Sequence, residues 1–379
     1  MGTPPTRWGH DGPVEPLVVD ASGTPREVGR AHGEHARELI RLGVDRWRQA
    51  LSDEGRDPER LWRDLSRTAG FRASAARWTP DLLEEVEGIA EGAGVSADVV
   101  FATNCLDEAW WWHEKGPGCS VVAVADRGPV PVVGQTMDLD TWMDTTQVVL
   151  RLRHQDGLEQ VMLSRAGVIG LCGANSAGIG VAVNALDQLA VDQAGVPVAF
   201  VLRSVLSAVR LEDVRGILRR LPHASGQAYT AVSPDGVVGF ECGADVVAEY
   251  LNDQGRPGAR WHTNHPLAAT TDEPSQLPGG SEGAPSWDWA AGSSVPRMTH
   301  LDSAMPAIAT ADDVARVLSD SDAGICMYPG RWRPDGFTFG SVVVEASVPP
   351  RVRVAVGPPD RVPYVEVPFG VPVRESTAT

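Results

Sequence analysis

The chain has 379 residues, 42% of them hydrophobic and 22% charged. It is too apolar for disorder, has no collagen-like period, and is long enough for one large or two medium domains. Fifty acidic against thirty-three basic residues give a formal charge of −17, which repels a phosphate backbone and an anionic bilayer and argues against nucleic acid or a membrane as partner. No apolar run reaches the ~18–20 residues that span a bilayer, and residues 1–12 are polar with no apolar signal segment. The expectation is a cytoplasmic protein.

The first third reads as helices. Thr24, Pro25 and Glu27 form a capping box with proline at the first helical position. Val28, Ala36, Leu39, Ile40, Trp47 and Leu51 then keep one face apolar, so a helix is expected up to Gly55. Asp57-Pro58 and Thr79-Pro80 repeat the cap-then-proline start, and Ser96 opens a shorter helix. After Gly116-Pro117-Gly118 the texture changes to short apolar runs: residues 120–125 and 130–135 around Asp126-Arg127-Gly128 predict a hairpin. Strands are expected near 150–153, 161–164, 168–173 and 178–183, then a helical pair over 198–221. Further strands are expected at 228–232 and 237–242 around the turn Ser233-Pro234-Asp235-Gly236, and at 338–346 and 351–356. Residues 270–294, rich in Pro, Gly, Ser and Glu, read as a surface excursion. Helices, then strands, then a helical pair, then strands describe layers of helix and antiparallel sheet, an α+β fold without βαβ alternation.

Cys105, Cys119, Cys172, Cys242 and Cys326 lack any C-x-x-C pair and are too scattered for a disulfide framework, so reduced thiols are expected. Each has the plain reading of a small buried hydrophobe. Cys119 has a second reading, because Gly118-Cys119-Ser120 delivers a thiol to the first residue of a strand. If the peptide bond before it is removed, the cysteine gains an α-amine with a pKa of about 7.7–8.0 beside its own sulfur, a nucleophile carrying its general base. The removal can be self-inflicted: the thiol attacks the Gly118 carbonyl, the amide shifts to a thioester, and water resolves it. One hairpin later, Gly134-Gln135-Thr136-Met137-Asp138 puts a carboxylate at the end of the neighbouring strand, either to hold the new amine or as a turn or cap aspartate.

At these residues the sequence resembles the isopenicillin N acyltransferase (acyl-CoA:6-aminopenicillanate acyltransferase) family of self-cleaving N-terminal-nucleophile enzymes. Residues 23–29 with His32-Gly33 are similar to that family's opening helix, residues 84–94 to its E-x-x-G-I-A-x-G segment, and Gly118-Cys119-Ser120 to its cleavage junction. Gly134-Gln135 to Asp138 is similar to the G-Q-N-W-D element. Residues 166–170, Asn175-Ser176-Ala177-Gly178 and Asn184-Ala185-Leu186 resemble the block A-G-I-I-G, N-S-A-G, N-A-L, and His262-Thr263-Asn264-His265 matches a further signature.

The resemblance implies a four-layer αββα sandwich of the N-terminal-nucleophile hydrolase type. It implies cleavage between Gly118 and Cys119 into a helical segment, residues 1–118, and a catalytic core, residues 119–379, which stay associated as one domain. It further implies hydrolysis or transfer of the acyl group of an N-acylated amine or small peptide amide through an acyl-enzyme on Cys119, with acyl-CoA a candidate donor and no cofactor or metal. Asn264 would donate to the tetrahedral oxyanion and Asp138 would be the acid beside the amine, with Asn184, Ser225 and Ser120 as candidate supports of substrate or oxyanion. In one departure Met327 follows Cys326 where the family pattern has arginine, and Arg331 and Arg333 are the nearby replacements. An unprocessed binding protein of the same fold is the different-class alternative. His262 and His265 lack a third metal ligand nearby, Gly173 to Gly180 lacks a phosphate-loop lysine, and of Trp110-Trp111-Trp112 at least one is expected to line a pocket or chain interface.

Overall fold

A computed structural model describes residues 15–110, 118–252, 257–268, 288–330 and 335–371. The expected capping box is present: Thr24 N–H donates to Glu27 Oε2 (2.9 Å), and Glu27 N–H donates back to Thr24 Oγ1 (3.3 Å). The chain enters as strand β1 (Leu17–Ser22) and continues as helices α1 (Pro25–His35), α2 (Arg37–Asp53), α3 (Pro58–Arg63), α4 (Phe71–Trp78), α5 (Pro80–Ala93), α6 (Ala97–Thr103) and α7 (Leu106–Trp110). The single helix expected up to Gly55 is therefore two, broken at Ala36. Its halves serve different neighbours. Helix α1 lies against α5 through glycines: a Cβ at Gly29, Gly33, Gly88 or Gly92 would fall within 2.3 Å of a carbonyl oxygen of the other helix. The apolar stripe of α2 instead carries Trp47 onto Trp62 and Trp142.

Next come β2 (Gly118–Val124), β3 (Val132–Asp140), β4 (Gln147–Arg153), β5 (Glu159–Arg165), β6 (Cys172–Asn175), β7 (Gly180–Ala185), α8 (Val198–Val205), α9 (Leu211–Arg220), β8 (Gln227–Ser233) and β9 (Gly236–Cys242). Then follow β10 (Val247–Glu249), β11 (Ala259–His262), α10 (Asp288–Ala304), α11 (Ala311–Leu318), β12 (Gly336–Glu345), β13 (Arg351–Ala355) and β14 (Val365–Glu366). Two sheets result, ordered β1-β4-β5-β6-β7-β8-β9-β10 and β11-β2-β3-β12-β13-β14. Every strand pair is antiparallel except β1 with β4, a parallel pair that ties the N-terminal segment into the larger sheet.

The sheets face each other through β2, β3 and β12 against β5 to β8. Helices α8 and α9 cover the outer face of the larger sheet, and α10 and α11 that of the smaller. This is a four-layer αββα sandwich. Strand β2 alternates between its two interiors: Cys119, Val121 and Ala123 join the core between the sheets, and Val122 and Val124 the core under α10 and α11.

Two expectations are corrected. Residues 168–171 form a loop, because Gly167 is left-handed (φ +89°) and the N–H groups of Gly167 and Ile169 bond to side chains in place of a ladder. The end of the surface excursion expected over 270–294 is also corrected: 269–287 lie outside the described residues, but α10 starts at Asp288, and Ser294 is fully buried. Among the described residues no helix is long and apolar enough to cross a membrane.

Candidate active site

The antiparallel register of the hairpin pairs Gly118 with Asp138 and Cys119 with Met137. A Cβ on Gly118 would lie 2.9 Å from Asp138 Oδ2, so only glycine lets that carboxylate sit against the Gly118–Cys119 peptide. Asp138 is fully buried, and its Oδ1 accepts from Thr338 Oγ1 (2.6 Å) on the next strand, β12. Thr338 Oγ1 in turn accepts from Met327 N–H (2.7 Å). The residue standing where the family pattern has arginine thus serves Asp138 through its backbone.

The sequence-predicted residues converge on Cys119 with one exception. Cys119 N–H donates to Asn264 Oδ1 (2.9 Å), and Asn184 Nδ2 donates to the Cys119 carbonyl (3.1 Å). Asn264 Nδ2 donates to Ala185 O (3.0 Å), so in this uncut chain its amide group is already engaged. The orientation of that amide follows from its partners: Oδ1 faces donors only, Cys119 N–H and Arg297 Nη2 (2.8 Å). Ser120 Oγ accepts from Arg297 Nη1 (2.9 Å). The exception is Ser225, which donates to Glu108 Oε1 (2.8 Å), a carboxylate that also accepts from Val198 N–H (3.0 Å). Ser225 thus braces Glu108, which in turn holds Val198 of the cavity wall.

Sequence reasoning missed Arg297. From α10 its Nη1 donates to the Cys119 carbonyl (2.6 Å) while Nη2 reaches Asn264, and the side chain is buried. It supplies a cation at the site. Arg331 and Arg333 lie outside the described residues, as do Trp111, Trp112 and the side chain of Trp110. The only sequence signal for Arg297 was a basic residue just past a Pro- and Gly-rich stretch, which carries no chemistry by itself. His262 is committed to structure: one ring nitrogen meets Glu241 Oε1 (2.8 Å) and the other Thr263 O (2.8 Å). All five cysteines are free and buried.

Burial pushes the Cys119 thiol up, and the Asp138 and Asp107 carboxylates push it further; Arg297 opposes them. In the uncut chain the thiol is therefore protonated at neutral pH. Cys119 borders a cavity of about 40 Å³ with walls of Met137, Leu139, Met143, Leu171, Val183 and Leu202. The 166–170 loop that forms part of the wall is held by the N-terminal segment: Gly167 N–H donates to His32 Nε2 (3.1 Å), Ile169 N–H donates to Asn104 Oδ1 (2.9 Å), and Arg203, paired with Glu85, donates to Ile169 O (2.6 Å).

Residues 126–333, which include Asp138, Asn184, Ser225, Asn264 and Arg297, match the family model for acyl-coenzyme A:6-aminopenicillanic acid acyl-transferase. The chain belongs to this family. One relative, the 40 kDa form of acyl-coenzyme A:6-aminopenicillanic-acid-acyltransferase from Emericella nidulans, is 28% identical over 261 residues, 66% of this chain and 70% of that protein. Among solved structures, a Caenorhabditis elegans N-acylethanolamine-hydrolyzing acid amidase ortholog is similar at 14% identity and TM-score 0.44, covering 66% of this chain and all of that one. A variant of the conjugated bile acid hydrolase from Clostridium perfringens is similar at 12% identity and TM-score 0.42, covering 69% of this chain and all of that one. The family assignment makes the chain an enzyme of the acyltransferase type.

Proposed function

We propose that the chain is the precursor of an N-terminal-cysteine enzyme that cuts itself between Gly118 and Cys119 and then hydrolyses or transfers the acyl group of an N-acylated amine or small peptide amide. The observation that carries this reading is the grip on the Cys119 peptide nitrogen. Its N–H is held by Asn264 Oδ1, while the Asp138 carboxylate lies against Gly118. In the first step Sγ adds to the Gly118 carbonyl carbon, the C–N bond breaks, and the Cys119 nitrogen leaves as an amine carrying the thiol proton. Water then splits the thioester, giving a carboxylate at Gly118 and a free thiol at Cys119.

The new α-amine, with a pKa of about 7.7–8.0, stays beside Asn264 Oδ1 and Asp138, which accept from its N–H groups, and its neutral form is the base. In turnover it takes the thiol proton as Sγ attacks the substrate carbonyl and returns it to the departing amine. The thioester left on Cys119 is captured by water in a hydrolase or by a second amine in a transferase. Hydrolysis is the simpler outcome. Transfer with acyl-CoA as donor is the second reading, favoured by the family model and by the Emericella nidulans relative.

Intact mass of the purified protein tests the first step: residues 1–118 and 119–379 are expected as separate chains, and Cys119→Ala is expected as one chain of 40.4 kDa. A wild type that stays whole under all conditions favours the binding-protein reading instead. A panel of N-acyl amines with and without acceptor amines or acyl-CoA divides hydrolase from transferase.

A further inference from the structure

Three arginines rank among the largest fully buried side chains: Arg165, Arg203 and Arg297. Two have partners that account for their charge. Arg203 forms a two-point ion pair with Glu85, and Arg297 binds the Cys119 carbonyl, Ser120 and Asn264. Arg165 has neither. It is 1% exposed, its Nε and Nη1 have no hydrogen-bond partner, and no carboxylate pairs with it among the described residues. Among the described residues its guanidinium lies over the Trp142 ring, with the guanidinium carbon 4.8 Å from the ring centroid. A buried guanidinium with idle donors is costly unless a counter-charge arrives. Burial pushes its pKa down, to about 9.

Arg165 lines the same cavity as Cys119. The other walls are mostly apolar, and two of them, Met137 and Met143, are unbranched side chains that repack around a guest. We propose that Arg165 anchors a carboxylate carried on an apolar arm of the substrate, so that the scissile amide belongs to a molecule with an apolar stretch between its reacting carbonyl or nitrogen and a terminal carboxylate. The planar guanidinium offers the two-point geometry a carboxylate takes. This rests on Cys119 as the acylated residue, and it adds the class of substrate that the cavity selects.

The test pairs isosteric probes. N-glutaryl and N-pentanoyl p-nitroanilide place or omit the carboxylate on the acyl half, and N-hexanoyl-β-alanine and N-hexanoyl-propylamine do so on the amine half. Wild type is expected to favour the carboxylate member of one pair by about ten- to hundredfold in kcat/KM, the range for hydrogen bonds to a charged group. Arg165→Met is expected to erase the preference while keeping turnover of the neutral member, and Arg165→Lys to retain part of it. Because Arg165→Met removes an unpaired buried charge, its Tm is expected to equal or exceed that of wild type, which separates a ligand role from a structural one. Equal rates within both pairs in wild type, or a preference that survives Arg165→Met, overturns the proposal.

A binding arm distinguishes failure of this proposal from failure of the Cys119 reading. Calorimetric titration of glutaramate against pentanamide into the Cys119→Ala chain needs no chemistry. Discrimination there that vanishes in Cys119→Ala/Arg165→Met supports the anchor even if no probe acylates the thiol. Lack of discrimination overturns it even if the thiol is acylated.

Discussion

Replacing Glu85 with leucine tests how far the N-terminal segment builds the cavity wall. Glu85 on α5 and Arg203 on α8 meet at 2.7 and 2.9 Å, with side chains 2% and 0% exposed. The same arginine donates to Ile169 O, and its neighbours Ala199 and Leu202 line the cavity. Glu85→Leu strands the Arg203 charge in an apolar interior, at a cost of about 3–5 kcal/mol. An unfolding entropy of about 2.1 cal/mol/K per residue gives roughly 0.8 kcal/mol/K for a chain of this length, so Tm falls by roughly 4–6 °C. Glu85→Leu/Arg203→Met removes both charges from a space that apolar side chains can fill, and is expected within about 1–2 kcal/mol of wild type. Thermal melts followed by circular dichroism on the wild type, both single variants and the double variant yield the coupling. A single variant as stable as wild type, or a double variant that loses the sum of both singles, refutes the reasoning. It would mean that the pair does not hold α8 against α5.

Thr338→Val removes the hydroxyl that donates to Asp138 Oδ1 and accepts from Met327 N–H; the chain is expected to lose about 1–3 kcal/mol and to accumulate uncut precursor on denaturing gels, and cleavage at the wild-type rate would remove Thr338 as a positioning residue for Asp138. Gly118→Ala forces a Cβ to within 2.9 Å of Asp138 Oδ2; time courses of fragment appearance are expected to slow, and an unchanged time course would mean that this carboxylate is not needed in place. Glu108 is 2% exposed, its Oε2 has no partner, and burial raises its pKa from 4.5 to about 7. The folded chain therefore holds that proton more tightly than the unfolded chain, and stability falls as pH rises from about 4.5 through about 7, by on the order of 3 kcal/mol. Glu108→Gln should flatten this decline in urea titrations at pH 5 and pH 8; an equal decline in the variant would rule out Glu108 as its source.

What the sequence disclosed of the site, and what it withheld, follows from where each contact is encoded. Cys119 and Asp138 sit on consecutive strands of one hairpin, so a short turn and a period of two suffice to bring Gly118 opposite Asp138. Asn264 and Asn184 were reachable only through the resemblance, because nothing local says that β11 pairs with β2 and that β7 lies across the sandwich from it. Thr338 and Arg297 were out of reach. The pairing of β3 with β12 joins residues 200 apart in sequence at Asp138 and Thr338, and Arg297 comes from a helix whose start reads as loop. The same limit explains Ser225, placed near the thiol by resemblance and found bound to Glu108. It also explains why Arg165 drew no notice: in sequence it follows the apolar run Val161-Met162-Leu163, just past the strand expected over 161–164, where a charged residue reads as solvent-facing. Only the tertiary packing reveals that its charge is buried and unanswered. Arg165 breaks its local pattern at a cost, in the cavity wall it shares with Cys119, and such breaks concentrate where a chain trades stability for function.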